Sequence, residues 1–286
     1  HNHNYKFYHR DVSHPNMGYN YIGLGNGLEK FVKKSWPESD LEMINGTAPM
    51  YLSSDRFCTY YMSVSGHLEY SKSGNAMAYK NWDKVKDLDC SDTVKAYYAC
   101  HIEFDKAMEK LLAELEKSGK ADKTLIAISP DHYPYGLEDD TVDTKYHYFD
   151  ELAGHKIETN FELYKSCFII YSPSMKAGRT VSKYCSSLDV LPTLSNMLGL
   201  EYDSRLLMGK DIFSDDAPLV IMSDRSWITD QGKYNANTEE FTLHPGSALS
   251  NHDEYVKNIN TLVRNKFKIS ALMLENDYYA HALSKE

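Results

Sequence analysis

From about residue 92 to residue 117, apolar side chains return every three or four positions: Val94, Tyr97, Tyr98, Ile102, Phe104, Met108, Leu111, Leu112 and Leu115. Polar residues fill the gaps, so the segment predicts a long amphipathic helix, opened by Ser91 or Asp92 as N-cap and stopped at Ser118-Gly119. The period then changes. Residues 124–128, TLIAI, form a short apolar run of strand length, and residues 166–171, SCFIIY, form a second. A long helix feeding such a strand is the pattern of an α/β unit whose sheet is covered on both faces. Residues 57–65, FCTYYMSVS, have the β-branched and aromatic content of a further strand and run straight into Gly66 and His67.

Residues 187–199, SLDVLPTLSNMLG, predict a short helix with Pro192 near its first turn and Gly199 at its stop. A turn at 208–213, MGKDIF, and a strand at 219–222 come next. From Trp227 the texture becomes short alternating strands with turn signals such as TDQGKY, and a last helix covers about 252–283. The expected architecture is an α/β core over residues 1–211 and a small α+β subdomain over 212–286, with short antiparallel strands and a long helix.

Composition narrows the chemistry. At 286 residues the chain can bury a sizeable core. A net charge of -10 without a block of Lys and Arg argues against a nucleic-acid partner, and an anionic substrate would need a metal or a few placed cations. The 23 tyrosines suit partly wet strands and polar ligands such as sugars or glycerol. Five cysteines show no CxxC pair and leave at least one thiol unpaired; Cys90 with Cys100, or Cys167 with Cys185, are pairings the sequence leaves open. No run approaches the roughly 20 apolar residues of a membrane span, and the opening HNHNYKFYHRD lacks the pattern of a signal peptide.

Candidate chemistry gathers where the apolar strands end, because ligands of open α/β sheets collect at the carboxyl edge. Asp131-His132 comes after the strand at 124–128, bracketed by Pro130 and Pro134, whose backbones are restricted. A carboxylate oxygen and an imidazole nitrogen suit Mn²⁺ or Zn²⁺ better than Ca²⁺. His67 comes after the strand at 57–65; if the two strands are neighbours, it opens onto the same edge as His132 and can act as acid or base near neutral pH. Arg10, within YHRD, offers a planar fork for phosphate. Taken singly, each also reads as a capping Asp, a surface His or a solvated Arg.

The order FYHRD, VSGH, a long helix, ISPDHYPYG, SSLDVLPTLSNMLGL, LMGKDIF and SDRSWITDQGKY resembles the extracellular domain of lipoteichoic acid synthases. These are phosphoglycerol transferases in the sulfatase-like branch of the alkaline phosphatase superfamily. The resemblance implies a mostly parallel sheet flanked by helices. It implies one divalent metal, Mn²⁺ first with Mg²⁺ or Zn²⁺ as alternatives, held by Asp131 and His132. His67 matches the family's active-site histidine, and Arg10 an arginine that grips glycerophosphate. Tyr8 stands where the family has tryptophan, and Pro130 where its Gly-Asp-His motif has glycine. The family's threonine nucleophile and acidic metal ligand have no counterpart here and would precede His1. No Cys-x-Pro-x-Arg is present, so the modified cysteine of true sulfatases is not encoded.

The implied reaction moves glycerophosphate from a phosphatidylglycerol-like lipid to a growing polyglycerolphosphate-type polymer, in two steps through a covalent intermediate. The implied location is the outer face of a Gram-positive-type membrane, reached through spans outside this chain, and the chain by itself is expected to be inactive. The alternatives are another sulfatase-like phosphoryl or sulfuryl transferase or hydrolase, and a non-catalytic wall-polymer binding module.

Overall fold

The computed structural model describes residues 1–283, and the chain divides into two compact units, residues 1–177 and 178–286. In the first unit the helices are α1 (Arg10–Asn16), α2 (Asp40–Leu52), α3 (Ala76–Asn81) and α4 (Asp92–Lys117). β1 (Ile126–Ile128), α5 (His147–Ala153) and β2 (Ile169–Tyr171) complete it. Ser91 caps α4 as expected, its hydroxyl accepting the Val94 N–H. Two cores lie along α4. Ala96, Ala99 and Cys100 pack on Met77 and Ala78 of α3 with Leu137, Phe149 and Leu163, and about two to four turns further on Ala107, Leu111 and Leu115 pack on Ile44, Ala48 and Leu52 of α2.

The α4 stripe differs from the one read along the chain. Tyr98 lies exposed while Ala96, Ala99, Cys100, Ala107 and the charged Glu103 are buried. Small residues let α2 and α3 approach closely, which apolar size alone does not reveal. Glu103 tolerates burial because it is paired: the Lys80 ammonium donates to it at 2.7 Å, the Ser39 hydroxyl by a short bond and the Asn81 amide at 3.4 Å.

The α/β class stands, but pairing direction departs from the mostly parallel expectation. β1 pairs with β2 antiparallel, Ile126 opposite Tyr171; among the described residues the parallel pairing is the isolated bridge Asn4–Leu24. The segment 57–65 forms no ladder. Its end is held instead by side chains, because Val64 and Ser65 donate their N–H groups to the Asp40 carboxylate.

The second unit contains α6 (Val190–Met197) and four strands, β3 (Val220–Ile221), β4 (Trp227–Ile228), β5 (Gly232–Asn235) and β6 (Glu240–Leu243), in one antiparallel sheet of order β3-β4-β5-β6. Helices α7 (His252–Glu275) and α8 (Tyr278–Leu283) complete it. The expected single helix breaks between them at Asn276 and at Asp277, whose φ of 46° leaves the helical region. Trp227 is fully buried, ringed by Tyr234, Phe241 and Tyr255, with its indole N–H on Asn260 Oδ1 at 2.8 Å.

The unit boundary lies at 177/178, not at 211/212. Hydrogen bonds tie the intervening segment into the second unit. The Ile212 N–H donates to Thr193 Oγ1 at 3.0 Å, the Lys183 ammonium to the Ser214 carbonyl at 2.7 Å, and the Lys266 ammonium to the Met208 carbonyl at 2.8 Å. All five cysteines are free. Among the described residues no helix is long and apolar enough to cross a membrane.

Candidate active site

Asp131 and His132 lie on the loop after β1. His132 has its Nδ1 2.7 Å from the Tyr133 carbonyl oxygen, which makes Nδ1 the donor and leaves the Nε2 lone pair free. That Nε2 is 3.6 Å from Asp131 Oδ1, too far for a hydrogen bond. Two ligands each about 2.1 Å from one cation lie roughly 3–3.5 Å apart at tetrahedral or octahedral angles. The 3.6 Å spacing lies just beyond that range, so a small closing movement of the two exposed side chains would bring them to two corners of a divalent-metal site. Both side chains reach solvent, Asp131 at 87% and His132 at 44% exposure. Among the described residues no third His, Cys, Asp or Glu joins them to complete a cage.

His67 closes a turn, its N–H donating to the Val64 carbonyl at 2.9 Å. Its Nδ1 lies 3.1 Å from the Leu68 carbonyl, again leaving Nε2 free. The loops bearing His67 and His132 pack together: a Cβ on Gly136 would lie 2.5 Å from Leu68 Cβ and 2.9 Å from the Tyr70 ring. That closeness needs glycine at 136. His67 does not join the Asp131–His132 pair as a third ligand.

Tyr8 and Arg10 sit at the start of α1. Tyr8 and His9 hold left-handed backbone, φ 53° and 54°, a conformation bulky residues avoid and one that recurs at functional positions. The Arg10 guanidinium stacks over the rings of Phe7 and Tyr8, 5.7 and 5.5 Å from their centroids. From there a chain of rings leads to His67. Tyr8 meets Phe7 at 4.2 Å, Phe7 meets His3 at 5.5 Å, His3 meets Trp36 at 5.3 Å and Trp36 meets His67 at 4.9 Å. Tyr8, Arg10 and His67 thus share one continuous aromatic wall, and the loop that carries Asp131 and His132 meets the His67 loop at the Leu68–Gly136 contact.

Sequence reasoning missed His3, Trp36, Glu38 and Asp40. His3 Nδ1 lies 3.6 Å from Glu38 Oε2, and both atoms are buried without a hydrogen-bond partner. Burial raises the Glu38 carboxyl above its usual range. The signals were present: two histidines in the opening HNHN, and SDLE at residues 39–42, a helix-start pattern in which the Glu42 N–H donates to Ser39 Oγ at 3.1 Å. An open groove of about 560 Å³ runs between Phe241 and α7 in the second unit.

An α/β unit with an Asp-His pair after a strand and a histidine on the adjoining loop is an arrangement suited to metal-assisted phosphoryl or sulfuryl chemistry. The chain belongs to the sulfatase family, whose model, described as Sulfatase, matches residues 1–200. Within that family it is similar to the lipoteichoic acid synthase-like protein YvgJ of Bacillus subtilis (strain 168), 23% identical over 256 residues, covering 86% of this chain and 40% of that protein. It is also similar to the lipoteichoic acid synthase of Staphylococcus aureus (strain USA300), 28% identical over 177 residues, covering 58% of this chain and 26% of that protein. The chain thus spans well under half the length of either relative. Among solved structures, the lipoteichoic acid synthase LtaP from Listeria monocytogenes superposes with a TM-score of 0.74 at 20% identity, over 96% of this chain and 69% of that one. The resemblance seen in the sequence is borne out, and the fold is the alkaline-phosphatase-like α/β fold.

Proposed function

We propose that this chain is part of a metal-dependent phosphoglycerol transferase of the lipoteichoic acid synthase type. In this reading it takes glycerophosphate from a phosphatidylglycerol-like lipid and passes it to a growing glycerophosphate polymer at the outer face of a Gram-positive-type membrane. The observation that carries it is the pairing of His132 Nε2 with Asp131 Oδ1 on a loop packed against the loop of His67. Support also comes from the names of the similar proteins.

Asp131 and His132 would supply two ligands to one divalent cation, Mn²⁺ in first place. Bound there, the cation would neutralise charge on the phosphoryl oxygens. The remaining acidic ligand and the nucleophile lie outside this chain in this reading, so the chain alone is inactive. Arg10 presents its planar fork to the phosphate, with Tyr8 as a wall for the glycerol. His67, its Nδ1–H fixed by the Leu68 carbonyl, offers Nε2 to protonate the leaving diacylglycerol alkoxide and later to take the proton of the incoming glycerol hydroxyl.

The test is diacylglycerol release from phosphatidylglycerol vesicles by the protein that carries this chain. Release with transfer to a glycerophosphate acceptor is expected. Hydrolysis of a sulfate ester in its place, or polymer binding without turnover, contradicts the proposal.

A further inference from the structure

Asp40 opens α2 with its carboxylate turned inward, the residue 1% exposed. Its Oδ1 accepts the Val64 N–H at 3.0 Å and the Asn2 amide at 2.7 Å, and its Oδ2 accepts the Ser65 N–H at 2.9 Å. The grip is reciprocal. The Asp40 N–H donates to Ser65 Oγ at 2.8 Å, and that hydroxyl donates to the Glu38 carbonyl at 3.1 Å. Two successive backbone N–H groups on one carboxylate form a nest for an anion. Here the anion is a side chain, and the nest is the first half of the turn that His67 closes.

Burial pushes the Asp40 carboxyl above its usual range, while the Asn2, Ser65 and Val64 donors favour its ionised form. A buried carboxylate is costly unless fully bonded, and its backbone donors, Val64 and Ser65, lie on the segment that ends in His67. The far side of that segment is held as firmly. Asn75 Nδ2 donates to the His67 carbonyl at 2.9 Å and the Glu69 carbonyl at 3.0 Å, the Trp36 indole to the Leu68 carbonyl at 3.0 Å, and the Tyr70 hydroxyl to the Gly66 carbonyl at 3.0 Å.

We infer that Asp40 is the positioning residue of His67: its carboxylate, seated on the Val64 and Ser65 amides, fixes the turn and with it the direction of the imidazole. The consequence for turnover rests on the reading of His67 as the acid–base group; the clamp itself does not.

The test compares Asp40→Asn with the wild-type chain by amide exchange and by histidine ring nitrogen resonances. Asn keeps the shape, loses the charge and accepts at one atom. Exchange at Val64 and Ser65 is expected to speed up by about tenfold or more, and the His67 ring resonances to move while those of His132 stay. In the protein that carries this chain, kcat is expected to fall on the order of ten- to a hundredfold with KM held. A folded Asp40→Asn with unchanged exchange and unchanged His67 resonances overturns the inference. Should Asp40→Asn fail to fold, Ser65→Ala removes the reciprocal bond and is read the same way. Full turnover in His67→Ala would defeat the acid–base reading, and exchange and ring resonances would still decide the clamp.

Discussion

His132 shows how much a single hydrogen bond decides. With Nδ1 committed to the Tyr133 carbonyl, Nε2 faces the Asp131 carboxylate across 3.6 Å, and no other group among the described residues competes for it. Asp131→Ala and His132→Ala are each expected to weaken Mn²⁺ binding to the protein carrying this chain by about tenfold or more, read by isothermal titration; wild-type affinity in either variant counts against the pair. Tyr8 argues in a different way. Its left-handed backbone costs roughly 1–2 kcal/mol, and its ring is 76% exposed, so little burial repays that cost. Asparagine accepts this conformation. Tyr8→Asn is therefore expected to keep or raise the melting temperature while weakening glycerophosphate binding; a large loss of stability would show that the ring is structural. The candidate pair Asp131-His132 was legible because it interrupts an apolar strand. Trp36 was not, because its meaning lies in ring contacts with His3 and His67, each more than 30 residues away in sequence.

At the scale of elements, α4 was legible in its length and ends and in part of its buried face, where Val94, Leu111 and Leu115 are buried as read; its small and charged buried residues were missed. Apolar size marks a stripe through Tyr98 and Phe104, whereas the helix packs through Ala96, Ala99 and Ala107 with Glu103 between them. Leu115 belongs to both descriptions and is 1% exposed; Leu115→Ala is expected to cost about 2–5 kcal/mol in denaturant unfolding. Glu103 gives the acid response. Burial alone would raise its carboxyl, but the Lys80 ammonium, the Ser39 hydroxyl and the Asn81 amide outweigh it and hold the group below the usual 4.5. A group depressed in the folded state stabilises above its unfolded value and loses that contribution as pH falls through the folded one. Stability is therefore expected to decline as pH drops below about 4.5. Glu103→Gln should flatten that decline and lower stability at neutral pH by about 1–3 kcal/mol. An unchanged acid limb in Glu103→Gln would assign the decline to other carboxylates. The strand at 57–65 was misread for a related reason: its content suits a ladder, but its terminal amides are taken by the Asp40 side chain.

For the whole molecule, the succession of motifs along the chain carried the family and the fold, while the unit boundary depended on contacts that no local pattern displays. Bonds between Thr193 and Ile212, Lys183 and Ser214, and Lys266 and Met208 bind the segment before Ile212 into the second unit. Residues 173–186 are largely exposed and carry no helix or strand. Limited proteolysis is expected to cut there first and to leave fragments near 1–177 and 178–286; first cleavage near 211 would restore the boundary read from the sequence. The proposed function divides labour between a metal pair, Asp131 and His132, and an acid–base histidine, His67, and one comparison tests that division most directly. Metal content and diacylglycerol release are measured together, in the Mn²⁺-loaded protein that carries this chain, for His67→Ala and Asp131→Ala. The account predicts that His67→Ala keeps its metal and loses on the order of a hundredfold or more in turnover, while Asp131→Ala loses metal and turnover together. Metal lost from His67→Ala, or kept in full by Asp131→Ala, would contradict it.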